Sequence, residues 1–540
     1  MKNFLALIIF TIVLSSCEDS NVAKVAEEKQ PNILWIVIED QSPEFFPFYG
    51  DEVVSLPNLE RLAAESVIYD RAFAPVPVCS PARSAIATGM YPTTLGTHNM
   101  RVYTAYQPQN QPEINVPIYS PIPPKGVKPF TEYMRQAGYY CTNNAKEDYN
   151  FEKRSSQWDE SSRQATWRNR AEGQPFFSIF NYEYCHESLI WRFGKDSLFV
   201  DPADVQVPPY FPDDSVIRHD IAVNYSNLIR VDRQIGQLLA KLEADSLLDE
   251  TIIFFYSDHG GPFPRHKRSV YETGTRVPMF VRFPSGERKG ERIQDMVNFI
   301  DLGPTALSLA GIEPPAVMQG VPFLGKYKPT ESRTYNFATS DRFDGQYDRK
   351  RAVRDQRYKY IRNFKPEIPY AINVRYRLQM PMMLRLLELD SLGQLSGPTA
   401  LWMADTKPEE ELYDLENDPY ELNNLAEKPE QAERLANFRK VLDDWMEETN
   451  DLGGIDEQTL IDRWQVDRKQ QVLPTPEINA TGENLTLSCT NTDATLVWRT
   501  SRDQPWTIYQ EAVPKAAISD TLWARASHIG YQESASTFVK

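Results

Sequence analysis

Two acidic pairs lie where this chain could do chemistry. Glu39-Asp40 follows the apolar run Ile33–Ile38, and Asp258-His259 follows the apolar run Thr251–Tyr256. Continuous runs rich in β-branched and aromatic residues predict strands buried on both faces of a parallel sheet. Open α/β sheets bind ligands beyond the carboxyl ends of their strands, which is where both pairs fall. Carboxylates gathered from separate segments suit a hard divalent cation, Ca²⁺ or Mg²⁺. Acids at strand ends also cap helices and shape turns, so one pair alone does not define a site. Beyond the second pair, Gly260-Gly261-Pro262 leads into the basic run Arg265-His266-Lys267-Arg268. In an acidic chain this run is a candidate anion site, with a solvated loop as the ordinary alternative. A third feature is Cys79-Ser80-Pro81-Ala82-Arg83, a thiol with a proline and an arginine at short spacing.

The elements that must position these residues alternate along the chain. Leu59–Val67, Phe130–Ala137 and Ile217–Leu247 have helical periodicity. Tyr139–Cys141, Pro175–Tyr184 and Met279–Phe283 read as further strands. Such alternation predicts an α/β architecture. A smaller unit follows, with antiparallel strands at Arg351–Arg354 and Tyr358–Ile361 and a helix over Pro429–Glu448. After Val472-Leu473-Pro474-Thr475-Pro476 the composition shifts to short alternating strands, such as Leu485–Ser488 and Leu496–Trp498. These predict a small β-sandwich. The resulting division is a leader over 1–17, a tether over 18–30, a main α/β domain over 31–345, a C-terminal subdomain over 346–470 and a β-module over 471–540.

Composition limits the function. The 540 residues carry a net charge of −17, which opposes binding to a nucleic-acid backbone. A site for anionic substrates must therefore be locally positive. Five cysteines are too few for a disulfide scaffold in a chain of this length, and Cys141, Cys185 and Cys489 read as buried thiols. Lys2 and the apolar stretch Phe4–Leu14 form an export signal too short to span a membrane. Leu14-Ser15-Ser16-Cys17 resembles a bacterial lipobox, so Cys17 is expected to become the lipidated N-terminus of an exported, outer-membrane lipoprotein.

The motifs together resemble the type I, formylglycine-dependent sulfatases of the alkaline phosphatase superfamily. Cys79–Gly89 matches C-[ST]-P-[SA]-R…T-G, and Pro31–Asp40 matches the family's opening strand with its acidic end. Ser257–Gly260 resembles S-D-[NH]-G, and Lys267…Tyr271-Glu272…Arg276-Val277-Pro278 matches K-x-x-x-[YF]-E…R-V-P. Leu412–Leu415 with Asp418-Pro419 and Asn424-Leu425 matches the family's C-terminal tag.

The resemblance implies that a dedicated maturase oxidises Cys79 to formylglycine, whose hydrate attacks sulfur. It assigns Glu39, Asp40, Asp258, His259 and an oxygen of residue 79 to a Ca²⁺ shell. Glu39 stands where most relatives have aspartate, and His259 where many have asparagine. Arg83, Lys146 and Lys267 match sulfate-binding positions. His186 matches the group that protonates the leaving alcohol. Asp148 replaces the histidine commonly found two residues after the first lysine. His98, Arg101, Asp341 and Arg342 fall in stretches that resemble those of bacterial carbohydrate sulfatases and are assigned to sugar recognition, together with Asp148. The expected partner is a sulfated glycan, with algal ulvan and glycosaminoglycans as candidates. The competing readings are a phosphoester or phosphonate monoester hydrolase on the same scaffold, and a non-enzymatic glycan-binding lipoprotein. The final module resembles the small β-domains appended to chitobiase-like hydrolases, as a spacer or a glycan binder.

Overall fold

The computed structural model describes residues 30–100, 102, 116–372, 374–518 and 520–539. The leader with Cys17, most of the tether, and Arg101 lie outside these residues.

The central strand β1 (Asn32–Ile38) is buried along its whole length. Its side chains alternate between two apolar layers: Ile33, Trp35 and Val37 enter one, Leu34, Ile36 and Ile38 the other. This is the two-residue period of a strand covered on both faces. Around it lie α1 (Pro57–Ala64), β2 (Val67–Tyr69), α2 (Cys79–Thr88), α3 (Phe130–Gln136), β3 (Tyr140–Asn144), β4 (Glu160–Ser161), β5 (Phe176–Tyr182), α4 (Ser215–Ala244), β6 (Thr251–Ser257), β7 (Met279–Arg282) and β8 (Arg292–Ile293). The eight strands form one sheet in the order β8-β2-β7-β6-β1-β5-β3-β4. On one face Trp35 meets Phe130, Phe177, Phe254 and Tyr256. On the other, α4 packs through Ile217, Ile221, Leu228, Val231, Ile235 and Leu242. Each such fully buried side chain contributes about 1.5–3 kcal/mol. Asp214 caps α4 by accepting from the Val216 amide.

All pairings are parallel except those of β7, which runs antiparallel to both β6 and β2. No helical crossover separates β6 from β7. A loop carrying the basic run joins them instead, so the chain returns beside β6 in the opposite direction.

A second, four-stranded antiparallel sheet follows in sequential order: β9 (Asn336–Phe343), β10 (Gln346–Arg354), β11 (Tyr358–Asn363) and β12 (Glu410–Asp414). Helix α5 (Ala432–Glu448) covers it through Leu435, Phe438, Leu442 and Trp445. The last region has two small antiparallel sheets of three and four strands between Glu477 and Val539. Buried polar contacts attach it to the main domain. Arg154 donates to the carbonyls of His528 and Tyr531 at 3.3 and 2.6 Å, and Glu533 accepts from the Ser155 amide at 2.6 Å. Thr495 donates to Glu132 at 2.6 Å. Pro31–Lys540 forms one compact unit.

Candidate active site

Strand register brings the two acidic pairs together. β1 and β6 are parallel neighbours with Ile38 opposite Ser257, so the residues after each strand emerge side by side. The Asp258 amide donates to the Ile38 carbonyl at 3.0 Å, and the Asp40 amide donates to Asp258 Oδ1 at 3.2 Å. Cys79 is the first residue of α2, whose ten residues are all buried. A helix start carries partial positive charge, which favours an anionic group there. Pro81 lies in the first turn, where a missing amide hydrogen costs little.

Cys79 Sγ lies 3.3 Å from His259 Nε2 and 4.0 Å from Asp40 Oδ1. The donor atoms of Asp40, Cys79, Asp258 and His259 all fall within 4.8 Å of one another, and all four residues are buried. His259 Nδ1 faces the Gly260 carbonyl at 2.9 Å, which holds a proton there and turns Nε2 towards Asp40 Oδ1, 3.1 Å away. The two aspartates suit a divalent cation. A thiol and an imidazole are second choices for a hard one, and an oxygen at position 79 would improve the match. The Glu39 carboxylate adjoins this group and pairs with Lys146 and with Arg83 Nη2, the latter at 3.3 Å.

Cations ring the cluster. Arg83 Nε lies 3.1 Å from Asp258 Oδ2, and Arg83 Nη1 donates to Asn181 Oδ1 at 2.7 Å. Lys267 Nζ reaches both oxygens of Asp40, at 2.7 and 3.0 Å. Lys146 is also 3.9 Å from Asp148 Oδ2. Burial opposes charge on Arg83, Lys146 and Lys267, but the neighbouring carboxylates outweigh it and hold all three cationic. Burial likewise works against His259, yet Asp258 and Asp40 raise it to about 10. The basic loop is held by close backbone approach: the Gly260 amide donates to the Gly274 carbonyl at 2.9 Å. A Cβ on Gly260 would sit 2.1 Å from the Thr273 carbonyl oxygen, so only glycine fits.

His186 is half-buried beside this group. The Ser188 amide donates to His186 Nδ1 at 3.3 Å, and the Ser188 hydroxyl lies 2.9 Å from it. An imidazole accepting at Nδ1 carries its proton on Nε2. Burial and the Lys267 charge push His186 well below its ordinary value, so the ring is neutral.

The sequence reading overlooked Glu187. This fully buried carboxylate takes two bonds from Arg268 at 2.9 Å each and lies 3.4 Å from Lys267 Nζ. Its backbone amide donates to Asp40 Oδ2 at 2.7 Å. Burial raises its pKa, but Arg268 and Lys267 reverse this and hold it below the usual carboxylate range. Its only sequence signal was a position beside His186. Arg268 also binds Asp344 at 2.8 Å, and Arg377 donates to the Lys267 carbonyl at 2.7 Å.

The residues assigned to sugar recognition are placed differently. Arg342 pairs with Glu457 at 2.6 and 2.8 Å, and Asp341 with Arg351 at 3.0 and 3.1 Å. Both lie in ion pairs with little exposure, and His98 is buried.

The sheet, its strand-end carboxylates and the ring of cations define a hydrolase of the alkaline-phosphatase-like fold. The Sulfatase family model matches residues 31–312, and that described as N-sulphoglucosamine sulphohydrolase, C-terminal, matches residues 261–373. An ulvan-active sulfatase of Formosa agariphila is 37% identical, with 98% of this chain and 96% of that protein covered. The human N-sulphoglucosamine sulphohydrolase is 24% identical over 75% of this chain and 87% of its own. Among solved structures, a 2-O GAG sulfatase matches with TM-score 0.57 and 19% identity, covering 78% of this chain and 93% of that one. A phosphonate monoester hydrolase from Silicibacter pomeroyi matches with TM-score 0.56 and 17% identity, covering 78% and 96%. The chain belongs to the sulfatase family and is a sulfate ester hydrolase. Members of the family generally use a metal ion and formylglycine.

Proposed function

We propose that this protein removes sulfate from a polysaccharide or its fragments, using Ca²⁺ and a formylglycine made from Cys79 by a maturase. The observation that carries the reading is Cys79 at the start of α2, beside Asp40, Asp258 and His259 and ringed by Arg83, Lys146 and Lys267. Glu39, Asp40, Asp258, His259 and residue 79 would hold the cation. When present, the oxidised residue supplies a nucleophilic oxygen and the cation supplies Lewis acidity. The chain's own side chains do the rest. Lys146, Lys267 and Arg83 are charged, the last two buried and the first partly so, and they can offset negative charge on the sulfuryl oxygens with little reorganisation. A sugar alkoxide is a poor leaving group, and the Nε2 proton of His186 is available to it. Asp148, near Lys146, is the candidate to accept a proton as sulfate is expelled.

Ulvan is the substrate we favour, because the relative 37% identical along nearly the whole chain is an ulvan-active sulfatase. Sulfated glycosaminoglycans are the alternative. Asp341, Arg342, His98 and Arg101 are proposed to shape the sugar site, the first two through their ion pairs. The leader and Leu14-Ser15-Ser16-Cys17 support export and lipid anchoring at Cys17 in the outer membrane. The test is a sulfate-release screen of matured protein over defined ulvan and glycosaminoglycan oligosaccharides, with phosphate analogues in parallel. Release of sulfate from ulvan fragments is expected. Faster release of phosphate would favour a phosphoester or phosphonate hydrolase instead.

A further inference from the structure

The alcohol that receives the His186 proton must come within about 3 Å of Nε2, so the sugar carrying it rests against whatever surrounds that imidazole. An aromatic pair stands there. Tyr376 meets His186 edge-on, with ring centres 6.3 Å apart and planes at 61°. Trp191 meets Tyr376 edge-on in turn, at 5.1 Å and 78°. Both rings are half-buried.

The contacts that set the catalytic side chains also fix this pair. Trp191 lies on the short helix Ser188–Phe193, whose first residue meets His186 Nδ1 through its amide at 3.3 Å and its hydroxyl at 2.9 Å. The far end of that helix is pinned by Phe193, which stacks on Tyr184 at 5.7 Å and lies 5.2 Å from the Arg230 guanidinium. Trp191 itself packs on the edge of the apolar layer that includes α4. Tyr376 precedes Arg377, whose guanidinium donates to the Lys267 carbonyl at 2.7 Å and whose amide donates to the Val374 carbonyl at 2.9 Å. Tyr376 is thus tied to the sulfate-binding lysine, and Trp191 to the proton donor.

A sugar ring has apolar C–H faces and a polar rim. Partly exposed indole and phenol rings cover such a face at little entropic cost, because each turns about only two torsions. Free sulfate has no such face and needs only the cations Arg83, Lys146 and Lys267.

We infer that Tyr376, backed by Trp191, stacks on the sugar that carries the departing oxygen and so selects saccharide esters. The inference rests on the glycan-desulfation reading and names two residues that hold its leaving group. Affinity for the sugar and affinity for sulfate are then separable.

The test uses matured full-length protein with a sulfated ulvan disaccharide as substrate and inorganic sulfate as inhibitor. In Tyr376→Ala, KM for the disaccharide should rise about five- to tenfold, the worth of one ring contact, with a smaller effect on kcat. The inhibition constant of sulfate should stay at its wild-type value. Tyr376→Phe keeps the ring and should keep most of the affinity. An unchanged KM in Tyr376→Ala overturns the inference. So does an equal rise in the sulfate inhibition constant, which would make Tyr376 a brace for Lys267, and so does a Tyr376→Phe variant as weak as Tyr376→Ala. Melting curves reveal whether Tyr376→Ala is folded. If it is not, Trp191→Leu decides, since it keeps apolar packing, removes the flat indole and must raise KM alone. Binding of the disaccharide to Cys79→Ala protein, with and without Tyr376→Ala, is followed by calorimetry. Affinity lost with Tyr376, in a protein whose wild type releases no sulfate, sinks the desulfation reading and leaves the stacking site standing. Sulfate release with no loss of saccharide affinity sinks the stacking site alone.

Discussion

Replacing Glu187 with glutamine should damage both stability and turnover, for reasons that separate in the assay. The side chain is buried and neutralises two buried cations, Arg268 through two 2.9 Å bonds and Lys267 at 3.4 Å. Removing one partner from a buried ion pair costs about 3–5 kcal/mol, because the remaining charge loses its compensation. Glutamine keeps one acceptor for Arg268, and Asp344 still binds that arginine, so we expect the lower end, about 3 kcal/mol. Lys267 keeps Asp40 but loses its second carboxylate, and its ammonium is freer to shift. Misplacing a charge-stabilising group by about 1 Å can cost on the order of a hundredfold in rate, so kcat should fall by ten- to a hundredfold. The Glu187 amide to Asp40 is a main-chain bond and survives the change. The assays are denaturant unfolding and sulfate-release kinetics on the matured protein. Wild-type stability together with wild-type kcat would refute the reasoning. A loss of stability with unchanged kcat would reduce Glu187 to a structural role.

Three further outcomes follow from the same geometry. Cys79→Ala should abolish sulfate release while leaving the fold intact, since the side chain is small and its apolar neighbours Val76, Val78, Met100 and Phe343 remain packed; circular dichroism and melting check the second part. Added Ca²⁺ should raise the thermal midpoint and chelator should lower it, by about 2.7 kcal/mol of stability at a hundredfold excess over Kd; Asp258→Asn should blunt the response, and an equal response would place the cation elsewhere. His266 accepts from or donates to Tyr210 at 2.9 Å, and burial, with Arg265 and Arg377, lowers it to about 3. It folds neutral, whereas the unfolded chain takes up a proton below the ordinary histidine value. Its contribution is therefore fully present above about pH 6.5 and is lost as pH falls from there towards 3; His266→Gln should flatten that part of a stability–pH profile.

Much of the fold was legible because buried strands and long amphipathic helices leave strong local patterns. The β1 and β6 runs and α4 were read within a few residues. The reversed direction of β7 was not, because a four-residue apolar strand looks the same in either direction. The residues near Cys79 were readable through family motifs, since metal and sulfate chemistry restricts residue type at each position. Glu187 escaped because its role is relational: it depends on Arg268 and Lys267, 81 and 80 positions away, folding back against it. The lysine partners of Glu39 and Asp40 were equally hidden. At the end of β1, Asp40 adopts a positive φ of 50°, and the Glu39 and Asp40 carboxylates pair with different lysines.

The most direct test of the central claim compares sulfate release by wild type and Cys79→Ala, each co-expressed with a formylglycine-generating maturase, together with the intact mass of the Cys79 peptide. The account predicts sulfate release from the wild type alone, with a peptide mass matching replacement of sulfur and two hydrogens by one oxygen. Undiminished release by Cys79→Ala, or full activity from a peptide that still carries the thiol, would contradict it.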